Sequence, residues 1–261
     1  MKIKVTALSP ISHGAFTDGI DMGNILEFRR MDMVREGKHI QLPVISGNAF
    51  RGVMRRLLAR ELFEVLDIKN QLTGKEHDRL YAILANGGAL GKDADVRVDP
   101  AAIREMREKL PLLSVFGAAC YRYILQGMFS CGFLELCCKE AGTGEIPISD
   151  LISEIGEAHH IEKCEFDAEN NDMKPMPYTT EVVVKGAEFD GYIDFTPHAT
   201  EVERAAVYHG IKLIGYIGGK SARGYGKIKC ECDCEINDAP YLEALKNTDM
   251  EFLKNYIRST L

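Results

Sequence analysis

The chain has 261 residues, 46% hydrophobic and 27% charged, with 24 glycines and no tryptophan, which fits one elaborated domain or two small ones and excludes disorder and collagen-like repeats. No apolar run approaches the roughly 18–20 residues that span a bilayer, the start MKIKVTALSPISHG lacks the apolar core of a secretory signal, and eight cysteines are too sparse for a disulfide scaffold; a soluble, cytoplasmic protein with no membrane partner is expected. The net charge of −7 argues against a polyanion partner, yet Arg29, Arg30, Arg35, Lys38, Arg51, Arg55, Arg56 and Arg60 face only Asp32 and Glu36 between residues 29 and 60, and Lys212, Lys220, Arg223, Lys227 and Lys229 occur with no acid among them; two basic islands in an acidic chain outline an anion's footprint.

KIKVTAL (2–8) alternates apolar and polar residues and reads as a strand. The stretch from Ser9 to about Pro43 is too long for a plain connection and reads as a functional loop or hairpin. Ser46 or Asn48 then opens a helix in which Phe50, Val53, Met54, Leu57, Leu58, Leu62 and Val65 form one buried stripe. Arg51 and Arg55 lie one turn apart on another face. Cations beside the positive end of a helix are unfavourable without an anion nearby; the alternative is a solvated face neutralised by Glu61 and Glu64. Residues 70–110 read as a helical insertion broken at Gly87, Gly88 and Gly91. QGMFSCGFLELCCKE (126–140) reads as one apolar strand, 141–190 as an extended hairpin or arm, and GYIDFTP (191–197) as a strand. Thr200 and Glu203 make a capping box for the next helix. KIKCECDCEI is a final alternating strand, and Pro240 starts an amphipathic C-terminal helix running to about Arg258. The order is an α+β, ferredoxin-like βαββαβ plan carrying insertions, expected as a single domain over 1–261.

GGKSARGYG (218–226) is the most specific local feature, since Gly218 and Gly219 beside Lys220, Ser221 and Arg223 give a backbone able to approach phosphate closely. It is no nucleotide-binding P-loop: position 214 is Ile where that motif needs Gly, and a helix precedes and a strand follows. A plain Gly-rich turn is the other reading. Cys230, Cys232 and Cys234 share one strand face, but Cys230 and Cys234 are too far apart to ligate one zinc, so they read as small core residues. His159, His160 and Cys164 have metal-like spacing with no visible fourth ligand. His13 could serve as a general base in RNA cleavage or as a structural or phosphate-contacting histidine. Asp18, Asp21 and Asp32 could assist a metal or orient a 2′-hydroxyl, or stand merely solvated.

Three segments together resemble the CRISPR-associated RAMP superfamily: LPVISGNAFRGVMRRLLARELF (42–63) its turn into a basic helix, IGGKSARGYGKIKC (217–230) its C-terminal glycine-rich loop, and PYTTEVVVKGAEFDGYIDF (177–195) the arm-to-strand passage of its backbone subunits. The resemblance implies a modified RRM-like fold with a thumb-like hairpin, and a subunit that stacks on copies of itself in a helical filament along a CRISPR guide RNA (crRNA). Such a subunit holds the guide by its phosphates, independent of sequence, for pairing with target RNA or DNA, beside other subunits of an antiviral or anti-plasmid effector ribonucleoprotein. It assigns Ser46, Gly47, Asn48, Arg51 and Arg55, with Gly218, Gly219, Lys220, Ser221 and Arg223, to the guide backbone, and Met173 or Met176 to an apolar wedge on the thumb. GNILEFRRMDMV (23–34) resembles the Asn…Phe-Arg-Arg loop of type IV backbone subunits, which makes Arg29 and Arg30 guide contacts, requires no cofactor and leaves the chain without chemistry of its own. In type III subunits an aspartate near the position of Asp32 cuts target RNA with a divalent metal. A guide-processing endoribonuclease using His13, and an unrelated α+β protein whose basic islands face an acidic protein, are the remaining alternatives.

Overall fold

The computed structural model describes residues 1–14, 25–90, 100–121, 123–157 and 178–259. Asp18, Asp21, His159, His160, Cys164, Met173 and Met176 lie outside them. The first strand, β1 (Lys2–Ala7), buries Ile3, Val5 and Ala7 and exposes Lys2 and Lys4, the alternation of a sheet covered on one face. A two-residue strand, β2 (Ile25–Leu26), precedes a hairpin, β3 (Arg30–Arg35) and β4 (Lys38–Ile45), turned by Glu36 and Gly37 at positive φ. The long early loop is therefore partly a hairpin.

The helix α1 (Gly47–Val65) starts where the Ser46 hydroxyl accepts the Ala49 amide at 3.2 Å. Phe50, Met54, Leu58 and Leu62 are buried, whereas Val65, expected in the stripe, is 50% exposed and the next residue, Leu66, is buried in its place. The helical insertion follows as α2 (Ile68–Gln71), α3 (Gly74–Asn86), α4 (Pro100–Lys109) and α5 (Pro111–Phe116), with the short strands β5 (Gly88–Leu90), β6 (Ala118–Tyr121) and β7 (Tyr123–Leu125) forming a small sheet of their own.

Segment 126–140 is not one strand. It gives β8 (Phe129–Cys131) and β9 (Leu134–Leu136), both beside β12 (Glu188–Phe195). Cys131 faces Ile193 and Glu135 faces Asp190, so three residues on one side span two on the other, which is a β-bulge. The start of α1 seats directly on the bulged backbone: a Cβ at Gly47 would run into the Cys131 and Gly132 carbonyl oxygens.

Next come α6 (Ile148–Leu151) and the antiparallel pair β10 (Ile152–Glu157) and β11 (Tyr178–Val183), joined in parallel by β2. The capping box forms as expected on α7 (Glu201–Leu213). After β13 (Ile228–Cys232), the expected single C-terminal helix is two, α8 (Ala239–Lys246) and α9 (Met250–Ser259). Asp249 breaks it, because its carboxylate accepts the Glu251 and Phe252 amides at 3.0 Å and so caps a new helix.

The main sheet runs β13-β1-β12-β9-β4-β3, with β8 also on β12. Its β13-β1-β12-β8/β9 portion is antiparallel throughout, the ferredoxin-like order for βαββαβ. Helices α1 and α7 contribute to the same hydrophobic cluster as Ile3, Val5, Phe189 and Ile193. The opposite face presents Lys4, Asp190, Tyr192 and Asp194. No helix among the described residues is long and apolar enough to cross a membrane.

Candidate nucleic-acid interface

Five segments converge past the end of β1. Ile11 exchanges backbone hydrogen bonds with Val183 at 2.9 and 3.0 Å, tying the chain after β1 to the base of the arm. Ser12 accepts the Gly219 amide at 2.8 Å, and Pro10 accepts the Gly226 amide at 2.8 Å, which lays the glycine-rich loop across this segment. Gly218 makes the approach possible: its φ is +86°, and a Cβ there would strike the Ser12 carbonyl oxygen. The His13 carbonyl accepts the Arg29 amide at 2.8 Å, and His13 Nε2 accepts the Ser46 amide at 3.2 Å. The bond to Ser46 puts the ring proton on Nδ1 and the imidazole in its neutral form. Burial, with the nearby Arg29 charge, holds the His13 pKa below its ordinary value.

Around this junction the predicted residues divide by exposure. Asn48, Gly218, Gly219, Ser221 and Arg223 are exposed, and Arg29 is half-buried. Among the described residues no acid pairs with the Arg29 guanidinium. Ser46 and Gly47 are buried and work inward, as a cap and as a helix–strand contact. Arg30 pairs with Glu181 of β11, whose other oxygen accepts the Phe28 amide at 2.6 Å. Lys220, in the left-handed region at φ +59°, donates to the Thr180 hydroxyl.

Arg51 and Arg55 lie apart from this rim. Arg51 donates to the Phe116 carbonyl at 3.1 Å with its guanidinium 4.9 Å from the Phe129 ring centroid. Arg55 donates to the Gly117 carbonyl and sits 5.2 Å from the Phe116 ring centroid. They are not a solvated face: both are half-buried and clasp the end of the helical insertion to α1. Glu61, which the solvated-face alternative set against them, accepts instead from His209 at 2.9 Å.

Asp32 is 70% exposed on the outward face of the edge strand β3, 3.3 Å from His39 Nε2. Among the described residues no three His, Cys, Asp or Glu side chains converge as a metal seat, and Asp32 with His39 alone does not fit a divalent cation. Sequence reasoning missed Thr180, Glu181, Phe116 and Phe129, whose roles arise from partners far away in the chain.

Residues 4–229 match the family model of the RAMP superfamily. The chain belongs to that superfamily. A solved chain of a "Type IV-B CRISPR Complex" superposes on this RAMP protein with a TM-score of 0.55 and 19% identity, covering 91% of this chain and 96% of that one. At that identity the likeness is one of fold, and it agrees with the ferredoxin-like order of the sheet. No curated protein matches the chain.

Proposed function

We propose that this RAMP protein is a crRNA-binding backbone subunit of a CRISPR effector ribonucleoprotein, holding the guide by its phosphates without cutting target. One observation carries the reading: the segments bearing Arg29, the exposed Asn48 at the start of α1 and the exposed Ser221 and Arg223 of the glycine-rich loop meet at one junction on this family fold. A glycine-rich loop, a helix N-terminus and cations suit phosphate and carry no base readout, which a subunit holding any guide sequence requires. The fold likeness to a chain of a type IV-B CRISPR complex supports the type IV-like form of the reading. Stacking on copies of itself along the guide, other effector subunits, a target of RNA or DNA and a cytoplasmic setting belong to the same proposal.

The test is co-expression with a repeat-spacer RNA, purification through a high-salt wash and extraction of retained nucleic acid. A discrete RNA in a large particle is expected. Arg29→Ala and Arg223→Ala should each flatten the dependence of log affinity on log salt by about 0.7 for one lost phosphate contact on a single strand. A clean, RNA-free monomer even with the partner subunits supplied sinks the proposal.

A further inference from the structure

We infer that the β11 strand couples the arm to the RNA-binding rim, with Arg30 and Lys220 as its positioning cations, an inference that rests on the functional reading above. Thr180 and Glu181 are consecutive, so their side chains leave β11 on opposite faces. Thr180 is 0% exposed and receives Lys220 from the glycine-rich loop. The Glu181 side chain is 13% exposed and receives both Arg30 and the Phe28 amide. Each basic island therefore sends one cation to the same strand, and the strand is gripped from both faces.

The same β11 pairs with β10 along the arm, with β2 through Thr179 and Thr180, and with Ile11 through Val183. Seating the arm consequently orders Arg30 and Lys220 before any RNA arrives. Arg30 spends Nη2 on Glu181 and Nη1 on the Phe28 carbonyl at 3.3 Å, and a guanidinium fork has five N–H donors, so it can face a phosphate while it holds the strand. A cation already fixed in place loses less side-chain freedom on binding than one that is loose. By reciprocity, RNA on the rim must stabilise the seated arm to the same degree that the seated arm strengthens RNA binding.

The sign of one substitution separates this coupling from plain electrostatics. Glu181→Gln removes a negative charge beside a polyanion site, so charge alone predicts tighter RNA binding. Positioning predicts the opposite. With the full chain, a labelled mixed-sequence single-stranded RNA and hydrogen exchange without RNA, Glu181→Gln and Thr180→Val should each speed exchange in 152–157 and 178–183. They should also weaken RNA binding roughly tenfold, an ordinary size for coupled sites, with the salt slope unchanged because the cations remain. Thr180→Ser keeps the hydroxyl and should restore both readouts; it also serves as the folding control if Thr180→Val is unstable. Tighter or unchanged binding in Glu181→Gln, with wild-type retention intact, overturns this inference alone. A wild-type chain that retains no RNA overturns the functional reading and this inference with it.

Discussion

His13 shows how one side chain can hold together the junction past the end of β1. Its Nε2 accepts the Ser46 amide, so the ring joins the chain after β1 to the residue that caps α1. Protonation would put an N–H against that amide and a cation at the positive end of the helix. The folded pKa lies below the ordinary value, burial first and Arg29 second. Between that lowered value and the unfolded value of about 6.5, the unfolded chain binds a proton that the folded chain refuses. Stability therefore falls as pH drops below about 6.5. Urea melts at pH 7.5 and 5.5 should show wild type losing more stability than His13→Gln over that interval; equal losses would mean that His13 does not carry the acid sensitivity.

At the scale of elements, Glu203 does more than its capping box announces. It is 2% exposed, and its carboxylate accepts from the Thr200 amide at 2.7 Å, from the Ser114 hydroxyl and from Arg107 at 3.1 Å, pinning α5 and α4 to the start of α7. Burial alone would raise its pKa, but hydrogen bonds from Ser114, the Thr200 amide and Arg107 outweigh it and hold the group below its usual range. That contribution is present above the unfolded value of about 4.3 and is lost as pH falls through the folded one. Glu203→Gln leaves Arg107 against a neutral partner and should cost about 3 kcal/mol at pH 7, read from denaturant midpoints, with the deficit shrinking toward pH 3. The capping pair itself was legible because a cap is written within four residues of sequence. Local signals likewise placed β1, α1 and the glycine-rich loop. The break in 126–140 was not legible, since it lies in the register against β12 and in the close packing of Gly47 on Cys131 and Gly132, both remote in sequence. The split at Asp249 had a local cue, a capping residue inside an amphipathic pattern. Arg51 and Arg55 read as surface cations because nothing near them in sequence announces Phe116 and Phe129.

For the whole molecule, the question is whether a chain proposed to hold RNA would also cut it. Metal-assisted strand scission needs carboxylates gathered around the reacting phosphate. Asp32 instead projects from the outward face of an edge strand, with Gln41 across from it and His39 diagonally opposite, while the cations of the rim lie beside the start of α1 and in the glycine-rich loop. Among the described residues Asp32 has only His39 beside it, and one exposed carboxylate with one histidine falls short of the oxygen-rich ligand set a divalent cation takes. In the guide-loaded complex supplied with divalent metal, complementary RNA should therefore stay whole, and Asp32→Ala should retain the guide through the same salt wash as wild type. Regularly spaced cuts by wild type that vanish in Asp32→Ala with binding intact would make the subunit a nuclease, its second ligand then supplied by a segment or subunit that closes on β3 only when guide and target pair. Uncut RNA in both would leave guide holding as the one task proposed for the two basic islands and the strand that Arg30 and Lys220 grip between them.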